Sequence, residues 1–191
     1  MYKEIYFWDF FNSLLEGNKF KCKEIMQSLI DQGMSLNDIY TEMIQKSMYR
    51  IGKMWDEGKI TVADEHVASR MSEYLVDVSL SMVKLKPKIN KKVIISCIDK
   101  EFHDIGARIA TNIFEYNGWD TIFLGANTPR SSLLNYIESK TPEIVGLSVS
   151  LYVNYVRFTE VLEAISEKFP DLKIIIGGQG LNNTNDELLT K

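Results

Sequence analysis

The segment Val93-Ile94-Ile95-Ser96-Cys97-Ile98 decides the fold, because it is a short apolar run of strand length. Such a run predicts the first β-strand of the domain that follows it. It is followed by Lys100-Glu101-Phe102-His103-Asp104-Ile105-Gly106, in which a histidine stands just past the predicted strand end. The chain has only two histidines, so the position of each needs an explanation.

From Val93 onward, strands and helices alternate, which predicts an α/β domain with a doubly wound, flavodoxin-like parallel sheet. Thr128-Pro129 is expected to open a helix, with a cap residue and then a proline at the first helical position. The sequence stops at Leu189-Thr190-Lys191, before the expected fifth strand and last helix, so we expect either a sequence that is cut short or a sheet that is short at its C-terminal end. The predicted strands are 93–98, 121–124, 144–149 and 172–176, and two further helices are expected over 103–116 and 155–169.

The first 85 residues show helical spacing and no convincing strand, which predicts a four-helix bundle. The second helix is expected over 18–32, the third after the cap-like Ser35, and the fourth from near Thr61 to about Val83. In the first helix the apolar residues recur at three- and four-residue steps, at Ile5, Trp8, Phe11 and Leu15.

A basic segment that contains a proline, from Lys84 to Lys92, separates the two halves. Its simplest interpretation is a solvated hinge, with a binding patch as the alternative. We therefore predict a helical bundle over 1–85, a linker over 86–91 and an α/β domain over 92–191.

Composition narrows the class of protein. The chain has 191 residues, 45% hydrophobic and 25% charged, which are ordinary values for a globular protein. A formal net charge of -4 argues against direct nucleic-acid binding, and no apolar run is long enough to span a membrane. Cys22 and Cys97 fall in a predicted helix and a predicted strand, which favours buried thiols and a cytoplasmic protein over a disulfide framework.

Several chemistry-bearing residues are expected at one edge of the predicted sheet. The carboxyl ends of parallel strands meet at the same edge, where open α/β sheets bind their ligands. This coincidence predicts a binding site. The positions placed there are His103, Gly125, Ser148, Ser150 and Gly177-Gly178.

The His103 loop has the features of a metal-ligating loop. An imidazole binds a transition metal well when an acceptor holds its other ring nitrogen. Glu101 can supply that acceptor, and Ser148 can hydrogen-bond the carboxylate in turn. A lone histidine beside a helix start can also be structural. No second protein ligand accompanies His103, which disfavours zinc and favours a metal that brings its own equatorial ligands, as a corrin does.

The residues Glu101 to Gly106, the strand end at Ser148 and the segment Gly177-Gly178-Gln179-Gly180 resemble the cobalamin-binding domain shared by methionine synthase, corrinoid methyl carriers and several mutases. The resemblance implies that His103 replaces the cofactor's own base as the lower cobalt ligand, supported by Glu101 and Ser148. Gly177 and Gly178 would make room for the nucleotide tail, although a glycine cluster also suits a simple turn. Most of the family has aspartate at position 101, so the glutamate implies a different geometry. The cofactor-binding residues implied in this half are Glu101, His103, Asp104, Ile105, Gly106, Ser148, Ser150, Gly177 and Gly178.

The helical half carries Trp55 and, after nine residues, Glu65-His66. With the His103 loop, this spacing is similar to the adenosylcobalamin-dependent photoreceptor branch (CarH-type regulators), whose helical part covers the upper face of the corrin. The resemblance implies that Trp55, Val62, Glu65 and His66 pack around the upper axial group. An indole offers a flat apolar surface, and a carboxylate and an imidazole can bond a ribose or an adenine edge. The alternative places Trp55 in the bundle core and Glu65-His66 on a solvated face.

The chain also departs from that branch. No DNA-binding domain precedes the bundle in this sequence, so we do not expect a self-contained repressor. Residue 56 is an aspartate, where the photoreceptors have a histidine that binds cobalt after illumination. Among the residues near Trp55, only His66 could replace that histidine.

These features favour a cobalamin-binding sensor that holds adenosylcobalamin through His103 and signals through a protein partner or by oligomerisation, with light as a candidate signal. The alternative is a corrinoid methyl carrier that presents methylcobalamin to a methyltransferase. Either protein would be a binding component more than an enzyme in its own right. A radical mutase subunit is less favoured, because no barrel-type substrate domain is present.

Overall fold

The computed structural model describes residues 2–182, with side chains from Glu4 onward. Two compact units divide the chain, Met1–Lys84 and Leu85–Lys191. The prediction of a sheet that is short at its C-terminal end falls on residues 183–191, which lie outside the described residues.

The first unit is helical, as its periodicity predicts. The third predicted helix is a continuous run of three pieces, of which the middle one has the wider π-helical turn. Side chains cap three helix starts: Asn18 accepts from the Lys21 N–H, Ser35 from the Asp38 N–H, and Thr61 forms a reciprocal capping box with Asp64. The helices are α1 (Tyr2–Leu15), α2 (Lys19–Asp31), α3 (Leu36–Asp38), the π-helical segment Ile39–Gln45, α4 (Lys46–Asp56) and α5 (Val62–Ser79), and a 3₁₀ turn follows at Leu80–Met82.

Helix α1 is present where the apolar spacing predicts it, but that spacing does not identify its buried face. Of the four spaced residues, Phe11 is buried and Leu15 is partly buried, whereas Ile5 and Trp8 are exposed. The reason is that α1 is apolar over most of its circumference, so its spacing fits more than one face. The residues that α1 contributes to the core are Phe10, Phe11, Ser13 and Leu14.

The second unit is the predicted α/β domain. Its four strands are all parallel in the order β2-β1-β3-β4, which is the flavodoxin-like arrangement without a fifth strand among the described residues. The chain therefore reverses its winding direction beside β1. The elements are β1 (Lys92–Ile98), α6 (Ile105–Tyr116), β2 (Asp120–Thr128), α7 (Arg130–Lys140), β3 (Ile144–Ser148), α8 (Tyr155–Lys168) and β4 (Lys173–Gly177), with 3₁₀ turns at Tyr152–Asn154 and Gln179–Leu181.

Strand β1 lies in the interior of the sheet and is covered on both faces. Its residues alternate between two cores, as a pleated strand requires. Ile94 and Ile98 pack with side chains of α7 and α8, whereas Val93, Ile95 and Cys97 pack on the other face with Ala107 and the partly buried Phe114 and Trp119. This double burial explains why the decisive segment is apolar throughout.

Two boundaries in this unit differ from the prediction. Strand β2 is longer than expected, because it continues past Leu124 to Thr128 through irregular register opposite Ser96. Helix α7 begins at Arg130 with Pro129 in the cap position, so Thr128 belongs to the strand and does not cap the helix.

The segment expected to be a solvated hinge is held against the second unit. The Lys86 N–H donates to the Tyr116 carbonyl at 3.0 Å, and the Ile89 N–H donates to the Gly118 carbonyl at 2.9 Å. Gly118 has a φ of +88°, and a β-carbon there would stand 2.1 Å from the carbonyl oxygen of Pro87. Residues 86–89 therefore form a strap over the turn between α6 and β2. No helix within residues 2–182 is long and apolar enough to cross a membrane.

Candidate functional site

The loop between β1 and α6, residues 99–104, carries the predicted metal ligand. It leaves the sheet beside the segment that follows β3, where the winding direction changes and open sheets place their ligands. Lys100 has a φ of +64°, a left-handed conformation that is unfavourable for a residue with a side chain. The surrounding contacts must therefore hold the loop in this shape.

Glu101 is the centre of these contacts. Its side chain has no exposed surface, and five donors surround its carboxylate. Oε1 accepts from the backbone N–H of His103 at 3.0 Å and pairs with His103 Nδ1 at 2.7 Å. Oε2 accepts from the N–H groups of Ser150 and Leu151 at 2.9 and 3.0 Å, and from Nδ2 of Asn154 at 3.2 Å. The carboxylate thus joins the loop after β1 to the segment after β3.

These donors determine the charge of Glu101. Burial alone disfavours the ionised form, but the hydrogen bonds from the His103 side chain and from the N–H groups of Leu151, His103 and Ser150 outweigh it. Together they lower the pKa of Glu101 from 4.5 to about 2. Glu101 is therefore a carboxylate at neutral pH and can only accept hydrogen bonds.

The tautomer of His103 follows from this charge. Because Glu101 Oε1 can only accept, the proton must sit on Nδ1, and the lone pair of the neutral imidazole is on Nε2. The His103 side chain is 58% exposed, although its partner carboxylate is completely buried. This is an imidazole oriented by an outer carboxylate, which is the usual environment of a metal-binding histidine.

Ser148 does not have the expected position in this network. It is buried at the end of β3, but the carboxylate of Glu101 takes its described hydrogen bonds from other residues. The longer glutamate side chain reaches past Ser148 to the backbone at residues 150–151. The expected bond from Ser148 to Glu101 was therefore wrong, and Ser150 contributes through its backbone N–H.

Asn154 is the residue that sequence reasoning missed. Only 3% of the residue's surface is exposed, and Nδ2 also donates to the Lys100 carbonyl at 3.2 Å. Asn127, at the end of β2, holds the same loop from the other side. The available signal for Asn154 was an asparagine immediately before α8, a capping position, but its side chain does not cap that helix.

The other predicted residues of this unit lie at the start of α6 and at the end of β4. Asp104 is buried and accepts from Nε of Arg108 at 3.2 Å, which supports the first turn of α6. Ile105 begins that helix, and a β-carbon on Gly106 would meet no atom within 4 Å. Gly177 also has open space above it, whereas Gly178 has a φ of +110° and lies against the carbonyl of Val149. Gly106 and Gly177 thus leave room for a bulky ligand, and Gly178 is required by the backbone.

Large apolar side chains are exposed on the segments that flank Glu101. Four of them lie within residues 151–156, and exposed apolar side chains that are clustered in this way commonly mark a ligand or partner surface. They suit the apolar rim of a large, flat ring. These residues are Phe102, Leu151, Tyr152, Val153 and Val156.

Cys97 lies next to this loop, but its thiol is not in the ionised form that binds a metal. Its Sγ contacts the carbonyl oxygen of His103 at 3.7 Å. Burial, followed by the nearby charges of Asp104 and Glu101, raises the pKa of Cys97 to about 12. Within residues 2–182, no three histidine, cysteine or acidic side chains lie together as a metal-binding group.

In the first unit, the predicted upper-face residues lie at the corner between α4 and α5. Trp55 is 50% exposed near the end of α4, so its interpretation as a core residue was wrong. Val62 is equally exposed at the start of α5. One turn further along, Glu65 accepts from Ser69 Oγ at 2.5 Å and lies 3.7 Å from Nε2 of the exposed His66.

Models of known protein families match both units of the chain. A model of the B12 binding domain matches residues 91–191, and a second model with the same description matches residues 8–78. The chain belongs to the B12 binding domain family. An oriented, exposed imidazole beside open glycine positions fits this family's cofactor, because a corrin supplies the equatorial ligands of its metal.

Several known proteins are similar to this chain over most of its length. A corrinoid protein of Desulfitobacterium hafniense is 24% identical, covering 87% of this chain and 80% of that protein. The methanol–corrinoid protein of Methanosarcina barkeri is 21% identical, covering 89% of this chain and 66% of that protein. The HTH-type transcriptional repressor CarH of Myxococcus xanthus is 24% identical, covering 73% of this chain and 46% of that protein. The solved structure of the Methanosarcina barkeri monomethylamine corrinoid protein has the same fold, with a TM-score of 0.75, 17% identity and coverage of 94% of this chain and 87% of that one.

Proposed function

We propose that the protein is a corrinoid methyl-group carrier that binds cobalamin through His103 and works with a methyltransferase. The exposed His103 imidazole, held through Nδ1 by the buried carboxylate of Glu101, carries the proposal. Nε2 is the nitrogen that this arrangement directs to a metal. Cobalamin, when bound, supplies a cobalt centre that can take up and release a methyl group.

The chain's own residues would hold and orient the cofactor. Glu101 keeps the proton of His103 on Nδ1, and the N–H groups of Ser150 and Leu151 keep Glu101 charged. Gly106 leaves space at the first turn of α6, and Gly177 leaves space at the end of β4, where a nucleotide tail would enter. The half-exposed Trp55 and Val62 would contact the upper face of the corrin, as the family resemblance implies.

The relatives favour a carrier over a photoreceptor. Those named as corrinoid proteins align over 87% and 89% of this chain, whereas the repressor aligns over 73%. Asp56 supports the same choice, because a carboxylate cannot take the role of the photoreceptors' light-induced histidine ligand. The methyltransferase partner is inferred from this class of protein.

A light-responsive sensor that holds adenosylcobalamin is the second candidate. It is favoured by Trp55, Glu65 and His66 at the corner between α4 and α5, where Trp55 and His66 are at least half exposed and Glu65 is partly buried. These side chains could contact an adenosyl group and respond to its loss.

Reconstitution with hydroxo-, methyl- and adenosylcobalamin tests cofactor binding. The wild type should bind with the cofactor's own base displaced, and its Co(II) form should show hyperfine coupling to one axial nitrogen. Histidine-specific 15N labelling should change that splitting. His103→Ala should lose both signatures and weaken binding about 10- to 100-fold, whereas His66→Ala should keep them. A wild type that stays colourless, or binds with the base still on cobalt, contradicts the proposal.

Light separates the two candidate functions. For a carrier, the oligomeric state of the adenosylcobalamin form should be the same before and after green light. In addition, the protein loaded with reduced cobalamin should take a methyl group from methyl iodide and release iodide. A change of oligomeric state that occurs only with adenosylcobalamin and light would favour the sensor.

A further inference from the structure

Asn127 makes two hydrogen bonds to consecutive residues of the loop that carries His103. Its Oδ1 accepts from the Lys100 N–H at 2.9 Å, and its own N–H donates to the Glu101 carbonyl at 2.8 Å. The first bond needs this side chain, whereas any residue with an N–H could make the second. Asn127 therefore holds the backbone on which the Glu101 carboxylate is mounted.

The backbone around these bonds is unfavourable on both sides. Lys100 has a φ of +64° and Asn127 a φ of +53°, both in the left-handed region. Asparagine tolerates this region better than other residues that have a side chain, but lysine does not share this tolerance. Lys100 thus depends on an external partner, and Asn127 Oδ1 supplies one for its N–H.

The effect of these bonds extends to His103. Glu101 Oε1 pairs with His103 Nδ1 at 2.7 Å, and a small rotation of the peptide at residues 100–101 would move that oxygen. We propose that Asn127 is a positioning residue, which sets the tautomer and direction of the His103 imidazole through the backbone of Lys100 and Glu101. Its importance for cobalt binding rests on the proposed function, but its action on the imidazole does not.

Substitutions at Asn127 separate its two contributions. Asn127→Gly removes the side-chain acceptor for the Lys100 N–H but still permits the left-handed backbone. Asn127→Asp keeps a side-chain acceptor, and aspartate also tolerates the left-handed backbone. Thr128→Ala, one position along the strand, is the matched control. Because the chain has only two histidines, 15N-histidine labelling resolves both imidazoles, with His66 as an internal reference.

The decisive measurement is the tautomer of His103 in the cofactor-free protein, from long-range 1H–15N correlations. We expect Nδ1 to be protonated in the wild type, Asn127→Asp and Thr128→Ala. In Asn127→Gly the two nitrogen shifts should move toward each other as the tautomers mix. An unchanged spectrum in Asn127→Gly overturns the proposal. The same mixing of tautomers in Asn127→Asp also overturns it.

A measurement on the wild type keeps the proposal testable if Asn127→Gly does not fold. The Lys100 amide should exchange its proton slowly despite its exposed position, and rapid exchange would overturn the proposal. The affinity for hydroxocobalamin is a separate measurement, and it should fall about tenfold in Asn127→Gly. If hydroxocobalamin does not bind the wild type, the proposed function fails while the tautomer still decides the role of Asn127.

Discussion

Glu101 is fully buried, yet it pairs at 2.7 Å with His103, whose side chain is more than half exposed. The hydrogen bonds that lower the pKa of Glu101 from 4.5 to about 2 exist only in the folded protein. Between these values the unfolded chain binds more protons than the folded one, so the stability of the second unit should rise with pH. This contribution, about 3 kcal/mol, should be complete above pH 4.5 and disappear as the pH falls toward 2.

Glu101→Gln is the variant that isolates this effect. Its amide places an NH₂ group among five donors, so it should destabilise the second unit at neutral pH, by about 3 kcal/mol. Urea unfolding followed by Trp119 fluorescence, with Trp8 and Trp55 replaced by phenylalanine, reports on this unit. The stability difference between wild type and variant should shrink as the pH falls from 5 toward 3. A constant difference would show that the Glu101 charge is not coupled to folding.

Gly118→Ala should destabilise the second unit through the strap. The new β-carbon would stand 2.1 Å from the Pro87 carbonyl oxygen, and the φ of +88° is unfavourable for alanine. Together these effects should cost about 2 to 3 kcal/mol. Thermal and urea unfolding measure the loss.

Gly52→Ala is the matched control for that substitution. Gly52 lies within α4, and a β-carbon there would meet no atom within 4 Å. Alanine should therefore stabilise the first unit by about 0.5 to 1 kcal/mol. Equal effects at the two positions would contradict the role assigned to the strap.

The parts of the fold that depend on periodicity could be predicted from the sequence. The apolar run of β1 predicts a strand, and once the strand lies inside the sheet its residues alternate between two cores because of the pleat. The face of α1 could not be predicted, because several apolar stripes fit its sequence. The strap also has no local signature, since the contact of Pro87 with Gly118 forms between segments distant in sequence.

The candidate site was predictable only where side chains act locally. The Glu101–His103 pair spans two residues and follows from the loop's own sequence. The remaining donors to Glu101 are two backbone N–H groups and Asn154, about fifty residues away. A backbone N–H is common to all residues but proline, so no residue type marks these two positions. The choice of Ser148 was therefore wrong for a physical reason, because the glutamate bonds to the backbone beyond it.

Neither cysteine should react in the folded protein. Burial, with a smaller contribution from nearby acidic groups, raises the pKa of both Cys22 and Cys97 to about 12. At pH 8 the thiolate should be roughly one part in ten thousand. Iodoacetamide treatment followed by mass spectrometry should find both unmodified until guanidinium unfolds the chain. Rapid native labelling of Cys97 would contradict its burial beside the His103 loop.

Trp55→Ala tests whether the corner between α4 and α5 contacts the upper ligand. The indole is half exposed, and its flat apolar surface suits a bulky upper group better than a methyl group. We expect the affinity for adenosylcobalamin to fall about tenfold, a loss of about 1.4 kcal/mol, with a smaller change for methylcobalamin. Trp8→Ala is the control, because Trp8 is another exposed tryptophan of the first unit. Its ring is covered by the Arg50 guanidinium, whose Cζ lies 4.5 Å from the ring centroid. Equal losses for both cofactors in Trp55→Ala would mean that this indole does not distinguish the upper ligands, so the resemblance to adenosyl-binding proteins would not extend to this corner.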